Sequence, residues 1–222
     1  MKINYLQVAL LVGALTLPRI FADAAKDPAR STGQQTLSPT FNQRLASARL
    51  AYFQDLEGDH AAHLQARQQF AALASERPND AVVEAYIGSL DLLDAARTWA
   101  FWNKHVLSQQ GLHELDQAVD QDSTNLEVRF IRAATTWHLP FFFHRREQAE
   151  SDFAFIAPRA AQAVANGSLP PQLGAAALDY YGQVLSDKSD AAAARNAFEA
   201  AVRLDGSSPG GKDASRRLKQ TD

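Results

Sequence analysis

The sequence predicts an all-α domain, and three observations carry that prediction. From Thr40 onward apolar residues recur three or four positions apart, as in Leu45, Ala48, Tyr52 and Leu56, and strand-like alternation is absent. Small and large residues return in paired patterns along the chain, which points to an internal repeat of αα-hairpins rather than to a single bundle. Cysteine is absent, so disulfides, thiolate metal sites and a lipid-modified N-terminal cysteine are excluded together, and helix packing must supply stability. With 46% hydrophobic and 21% charged residues in 222, the composition is that of an ordinary globular protein. The formal charge of -3 gives no electrostatic reason to expect nucleic acid as a partner.

Residues 1–24 differ from the rest of the chain. Lys2 gives a positive start, Leu6 to Leu17 is an apolar run of 12 residues, and Ala22-Asp23-Ala24 fits a small-x-small cleavage site. This pattern predicts a secretory signal peptide, with an uncleaved interfacial anchor as the alternative. A membrane-spanning helix needs about 20 apolar residues, and Pro18 and Arg19 end the run before that. No later segment is apolar enough to span a bilayer, so the expected address is the periplasm or the medium. Residues 25–39 are polar, hold Gly33, Pro28 and Pro39, and are predicted to be a flexible leader.

Residues 40–222 form the predicted helical domain, with about four hairpins. Ala66-x3-Phe70-x2-Leu73-x4-Pro78 has the pattern of a hairpin's second helix and its terminating proline, and Ile87-Gly88 supplies the large-small pair of the next first helix. Leu115-x2-Ala118 followed by Ser123 gives another second helix, and Ala149-x3-Phe153 a third. Near the C-terminus, Leu178-x2-Tyr181-Gly182-x2-Leu185 precedes Ala194-x3-Phe198-x2-Ala201. Small Gly182 and Ala194 are placed where two antiparallel helices cross closely, with Tyr181 and Phe198 filling the gaps beside them. Lys212 to Gln220 is a candidate cap helix.

These spacings resemble the tetratricopeptide repeat, over roughly residues 45–208 and most specifically in the last hairpin and around Pro78. The resemblance implies a right-handed superhelix whose first helices line a concave groove for a polypeptide, and an adaptor or scaffold role. Counted from Pro78, the second repeat holds about 11 residues more than the usual 34 and the third about four more. The first insertion, within Asp94 to Gln110, lacks glycine and proline and is expected to lengthen the first helix of its hairpin by about three turns. The second, Trp137 to Arg146, contains Pro140 followed by Phe141, Phe142 and Phe143.

Equivalent loops of neighbouring repeats fall on one edge of an array, so Trp99, Phe101 and Trp102 are expected near Trp137 and the three phenylalanines. Two readings stand for this edge. Either the rings seal the overhang of a long helix, or they form a pocket or exposed patch for a partner. Arg97, Lys104, Arg129, Arg132, Arg145 and Arg146 lie among them in sequence, and arginine with aromatic residues is the composition of a partner-binding hot spot. Acidic neighbours Asp91, Asp94, Glu127, Glu147 and Glu150 offer internal pairing instead. Strict repeat counting puts Arg129 and Arg132 toward the core, at high cost. A slip of one residue turns Val128 and Ile131 inward, leaving Arg129 either in the groove or in a buried Arg–Glu pair.

The candidate partner-binding residues are Trp99, Trp102, Arg129, Trp137, His138, Phe141, Phe142 and Arg145. His60 and His63 beside Asp59 have two imidazoles and a carboxylate in zinc-like proximity, but without a spaced third ligand or HExxH a solvated turn is the expectation. His105, His113, His138 and His144 lie in or beside the insertions and are expected to be polar tips of that edge. No GxSxG, GxxxxGK[ST] or GxGxxG is present. No catalytic residue, cofactor or metal is therefore assigned, and the expected function is binding a protein or peptide. The alternatives are a small-molecule or lipid carrier with an apolar pocket between Trp99 and Phe143, and a helical hydrolase whose carboxylates meet only in space.

Overall fold

The computed structural model describes residues 39–220. The expected export segment 1–24, and all of the expected leader 25–39 except Pro39, lie outside the described residues. Among the described residues there are ten α-helices and no strand: α1 (Phe41–Leu56), α2 (His60–Glu76), α3 (Ala81–Arg97), α4 (Phe101–Gln121), α5 (Leu126–Thr136), α6 (Arg146–Ile156), α7 (Ala160–Ala165), α8 (Pro171–Asp187), α9 (Ala191–Asp205) and α10 (Pro209–Leu218). The pairs α1–α2, α3–α4, α5–α6 and α8–α9 pack as hairpins, giving the all-α array the sequence predicts. The short α7 is interposed before the fourth hairpin, and α10 covers α8 and α9.

Local chemistry sets the helix starts. At α1 the Thr40 hydroxyl accepts from the Gln43 N–H while the Gln43 side chain accepts from the Thr40 N–H, which satisfies two otherwise orphaned donors. The side chains of Asp59, Asp80, Asn125, Asp190 and Ser208 accept backbone N–H groups at the starts of α2, α3, α5, α9 and α10. Each such cap is worth about 1 kcal/mol. Pro171 opens α8, where its missing N–H costs nothing. Pro78 lies in the exposed turn after α2, as its terminating role requires.

Close approach of helices follows the small residues. A Cβ on Gly88 would stand 2.7 Å from the carbonyl oxygen of Gly111, so the backbones of α3 and α4 touch there. A Cβ on Gly182 would collide with the ring of Phe198, which fills that space. Ala66, Phe70, Ala118, Ala149, Phe153, Ala194 and Ala201 are all buried. Tyr181 is only half-buried, and its neighbour Tyr180 takes the core position, stacked on Phe153 with centroids 4.8 Å apart. Tyr86 stacks in the same way on Phe70, also at 4.8 Å. In both hairpins the tyrosine two residues before the glycine packs on the preceding hairpin's phenylalanine.

The first insertion does not lengthen α3. That helix stops at Arg97 because Thr98 turns extended, with φ -71° and ψ 138°, and its hydroxyl accepts from the Ala100 N–H. β-branched and aromatic residues are weak helix formers, and Thr98-Trp99 supplies the break without glycine or proline. The added residues lengthen the start of α4 instead, making it 21 residues long. Val128 and Ile131 point inward as the slipped register predicts, with 0% and 2% exposure.

The array curves enough that the first helices α1, α3, α5 and α8 face one another. Together they enclose an inner cavity of about 110 Å³. A wider cleft of about 440 Å³ separates Arg49, Leu50 and Phe53 of α1 from Pro170, Gln172 and Leu173 beside and within α8.

Candidate functional site

The two irregular connections build an edge of exposed aromatic side chains. The extended Thr98 turns the chain so that Trp99 is 91% exposed. Trp102 and Val106, one turn apart on the overhanging start of α4, are also exposed. Across from them Pro140 opens a single 3-10 turn, Phe141–Phe143. His144 closes it in the left-handed region, φ 53°, with its N–H donating to the Phe141 carbonyl at 3.0 Å. Phe141 is 87% exposed and Phe142 is exposed beside it, their rings 5.9 Å apart.

Phe142 and Phe143 share the walls of one outer pocket with His105 and Ser108 of α4, which brings the two lengthened connections together. Large rings left in water forgo the burial that normally places them inside.

Other residues expected here lie elsewhere. Trp137 is 4% exposed and packs edge-on to Phe153 at 5.5 Å and Tyr180 at 6.0 Å. The Arg146 guanidinium lies 3.2 Å from the Trp137 ring centroid, closing its remaining face. Trp137 is therefore core, and its local sequence missed this because its partners arrive from α6 and α8. His138 comes next in the chain and lines the inner cavity, its pKa lowered by burial and then by the nearby Arg146 and Arg217 charges.

The arginines are engaged internally. Arg129 pairs with buried Asp152 at 2.5 Å, donates to the Ser123 carbonyl at 2.6 Å and lies over the Phe155 ring, so it is no groove-facing anchor. The expected buried arginine pair exists, but its carboxylate is Asp152 rather than a glutamate. Arg132 binds the same carboxylate at 2.8 Å and reaches Asp116 at 3.3 Å. Arg145 also pairs with Asp116, at 2.6 Å. This network joins α4, α5 and α6 and engages three of the basic residues that the sequence placed near the rings. Asp116 and Asp152 carry no local mark in the sequence; the recurrence of arginine at positions 129 and 132 on an otherwise inward face was the available signal.

His63 is likewise not on a solvated turn. It is buried between α1 and α3, with Nδ1 2.8 Å from Asp55 and Nε2 2.8 Å from Asp94. Hydrogen bonds to Asp55 and then Asp94 raise its pKa to about 9 against the burial penalty. Arg97 pairs with Asp55 at 2.7 Å, and Arg67 binds Asp91 and Asp94. Of the other two residues in that cluster, Asp59 caps α2 and His60 is exposed. Among the described residues no group of three or more ligand-type side chains is placed to hold a metal.

The inner cavity is apolar except for His138 and one chain of hydroxyls. Tyr52 is 2.7 Å from Ser89, which is 2.9 Å from Thr135. Burial pushes the Tyr52 phenol up to about 12, so it stays protonated at neutral pH. No helix among the described residues is long and apolar enough to cross a membrane. No family model matches the chain, and neither the curated proteins nor the solved structures compared with it gave a significant match.

Proposed function

We propose that the chain is an exported, tetratricopeptide-like adaptor that binds a polypeptide partner through its aromatic edge. The observation that carries this reading is the exposure of Trp99, Trp102 and Val106 at and before the start of α4 and of Phe141 and Phe142 on the 3-10 turn, with Phe142 sharing a pocket wall with Lys104 and His105 of α4. Aromatic side chains that lose little conformational entropy on binding dominate interface energetics. Arg129 and Arg145 are paired with Asp152 and Asp116, so the most exposed part of the edge is made by the rings and Val106, and the partner it suits presents apolar side chains to them. The proposal of export rests on Lys2, the apolar run Leu6 to Leu17 and Ala22-Asp23-Ala24.

The test is affinity capture from periplasmic extract with quantitative mass spectrometry, comparing wild type with Trp99→Ser/Phe141→Ser. A defined partner retained by wild type and reduced at least tenfold by the double variant supports the reading. Identical retained sets from two equally folded proteins end it.

A further inference from the structure

We propose that the inner cavity and the outer pocket form one binding site for a single-chain anionic amphiphile, a fatty carboxylate. The outer pocket, about 260 Å³, lies between α3, α4 and the Leu139–Phe143 stretch. The inner cavity, about 110 Å³, lies among the four first helices. Both are walled by the same three side chains, Leu92, Ala96 and Leu139. Leu139 belongs to the non-helical stretch after Trp137 and is only partly buried, so it is the wall element that can turn aside. An apolar chain along that route passes from the α4 side of the molecule to its centre.

Charge selects the head group. Lys104 stands on the outer pocket's wall, with His105 beside it. Among the described residues neither wall carries a carboxylate, although the chain has 25 acidic residues against 22 basic ones. A negative head beside Lys104 and His105 is therefore attracted to the wall it lies against. The remaining lining of the outer pocket is largely apolar, with Leu92, Ala95, Leu139 and Phe143 placed along the chain. At the far end the cavity is apolar around Leu56, Leu93 and Phe130, and the Tyr52, Ser89 and Thr135 hydroxyls satisfy one another, so a methyl terminus there strands none of the three. This site shares Phe142 with the aromatic edge but needs no polypeptide partner, so binding of a monomeric carboxylate to the purified protein tests it separately from the adaptor reading.

The experiment is isothermal titration calorimetry of the whole protein with octanoate, decanoate and dodecanoate, each below its micelle concentration. Saturable binding of one carboxylate per protein is expected, tightening roughly fourfold per added methylene, the ratio that about 0.8 kcal/mol per buried CH₂ gives. Lys104→Gln/His105→Gln is expected to weaken dodecanoate at least tenfold and leave dodecanol unchanged. Leu139→Trp, which fills the shared wall, is expected to abolish the gain from chain length; circular dichroism reports whether each variant is folded. The carboxylate series and its alcohol and ammonium analogues need no variant. Absence of saturable binding overturns the proposal, as does equal affinity for dodecyltrimethylammonium. Association with phosphatidylglycerol vesicles but not with monomeric dodecanoate overturns it too, and assigns the surface to a lipid bilayer.

Discussion

Trp99 and Trp137 stand at the two lengthened connections and read alike in sequence, yet one is 91% exposed and the other 4%. The difference lies in what arrives from elsewhere in the chain. Trp137 ends a helix whose next neighbours, α6 and α8, bring Phe153, Tyr180 and the Arg146 guanidinium onto its ring. Trp99 sits on a three-residue turn beside the overhanging start of α4, beyond the stretch where Gly88 and Gly111 hold α3 and α4 together. A large aromatic residue in an insertion therefore carries no functional information by itself. Its meaning depends on whether the array supplies a second surface.

The largest expected effect tests the buried member. Trp137→Ala removes the side chain that links α5 to α6 and α8, and should cost about 3–5 kcal/mol, in line with other large-to-small aromatic changes in cores. Equilibrium denaturation in urea measures it. A loss below about 1 kcal/mol would place Trp137 with the edge and dissolve the contrast.

A second test separates the charge networks under the two regions. The stretch around Trp137 is tied by guanidinium groups, Arg132 and Arg129 on Asp152, and has no histidine in its ion pairs. The foot of the Trp99 edge, at Asp94 and Arg97, is tied to α1 and α2 through His63. His63 has a folded pKa near 9 against an ordinary 6.5, raised by its hydrogen bonds to Asp55 and Asp94. Its stabilising contribution is thus complete below pH 6.5 and is lost as pH rises through 9. The unfolding midpoint should fall across that window, and His63→Gln should flatten the fall while costing about 1.5–3 kcal/mol at pH 6. An unchanged pH profile in the variant would show that His63 does not titrate as the geometry requires.

How much of this was legible in the sequence obeys the same division. Features fixed by local spacing were readable: the hairpins, the turn at Pro78, the Gly182–Phe198 crossing and the inward Val128 and Ile131 all derive from helical period and small-residue placement. Features fixed by partners far away in the chain were not. The α3–α4 break was hidden because Thr98 ends a helix through its own extended conformation, without glycine or proline. Tyr181 stands where the repeat pattern places its large residue, directly before Gly182, yet Tyr180 is the one that enters the core. The stacking onto Phe153 depends on the twist between hairpins, which spacing does not encode. The Tyr-x-Gly recurrence at Tyr86 and Gly88, and again at Tyr180 and Gly182, was a usable signal for that contact. Asp55 and Asp152, buried by ion pairing, and Asp116, half-buried, escaped because a paired carboxylate looks, in one dimension, like any solvated acid.

The smallest expected effect on stability is the most informative for function. Trp99→Ser and Phe141→Ser remove side chains that are 91% and 87% exposed, so each should change unfolding free energy by no more than about 0.5 kcal/mol. Solubility should improve, since contiguous exposed rings promote self-association. A rise in stability on removing them would be meaningful as well, because it would show that the folded chain retains these rings at a cost. A drop of more than about 1 kcal/mol would instead mean that the rings pack onto the domain in solution. The edge would then be a second seal over the overhang of α4, and the distinction between Trp99 and Trp137 would be one of degree.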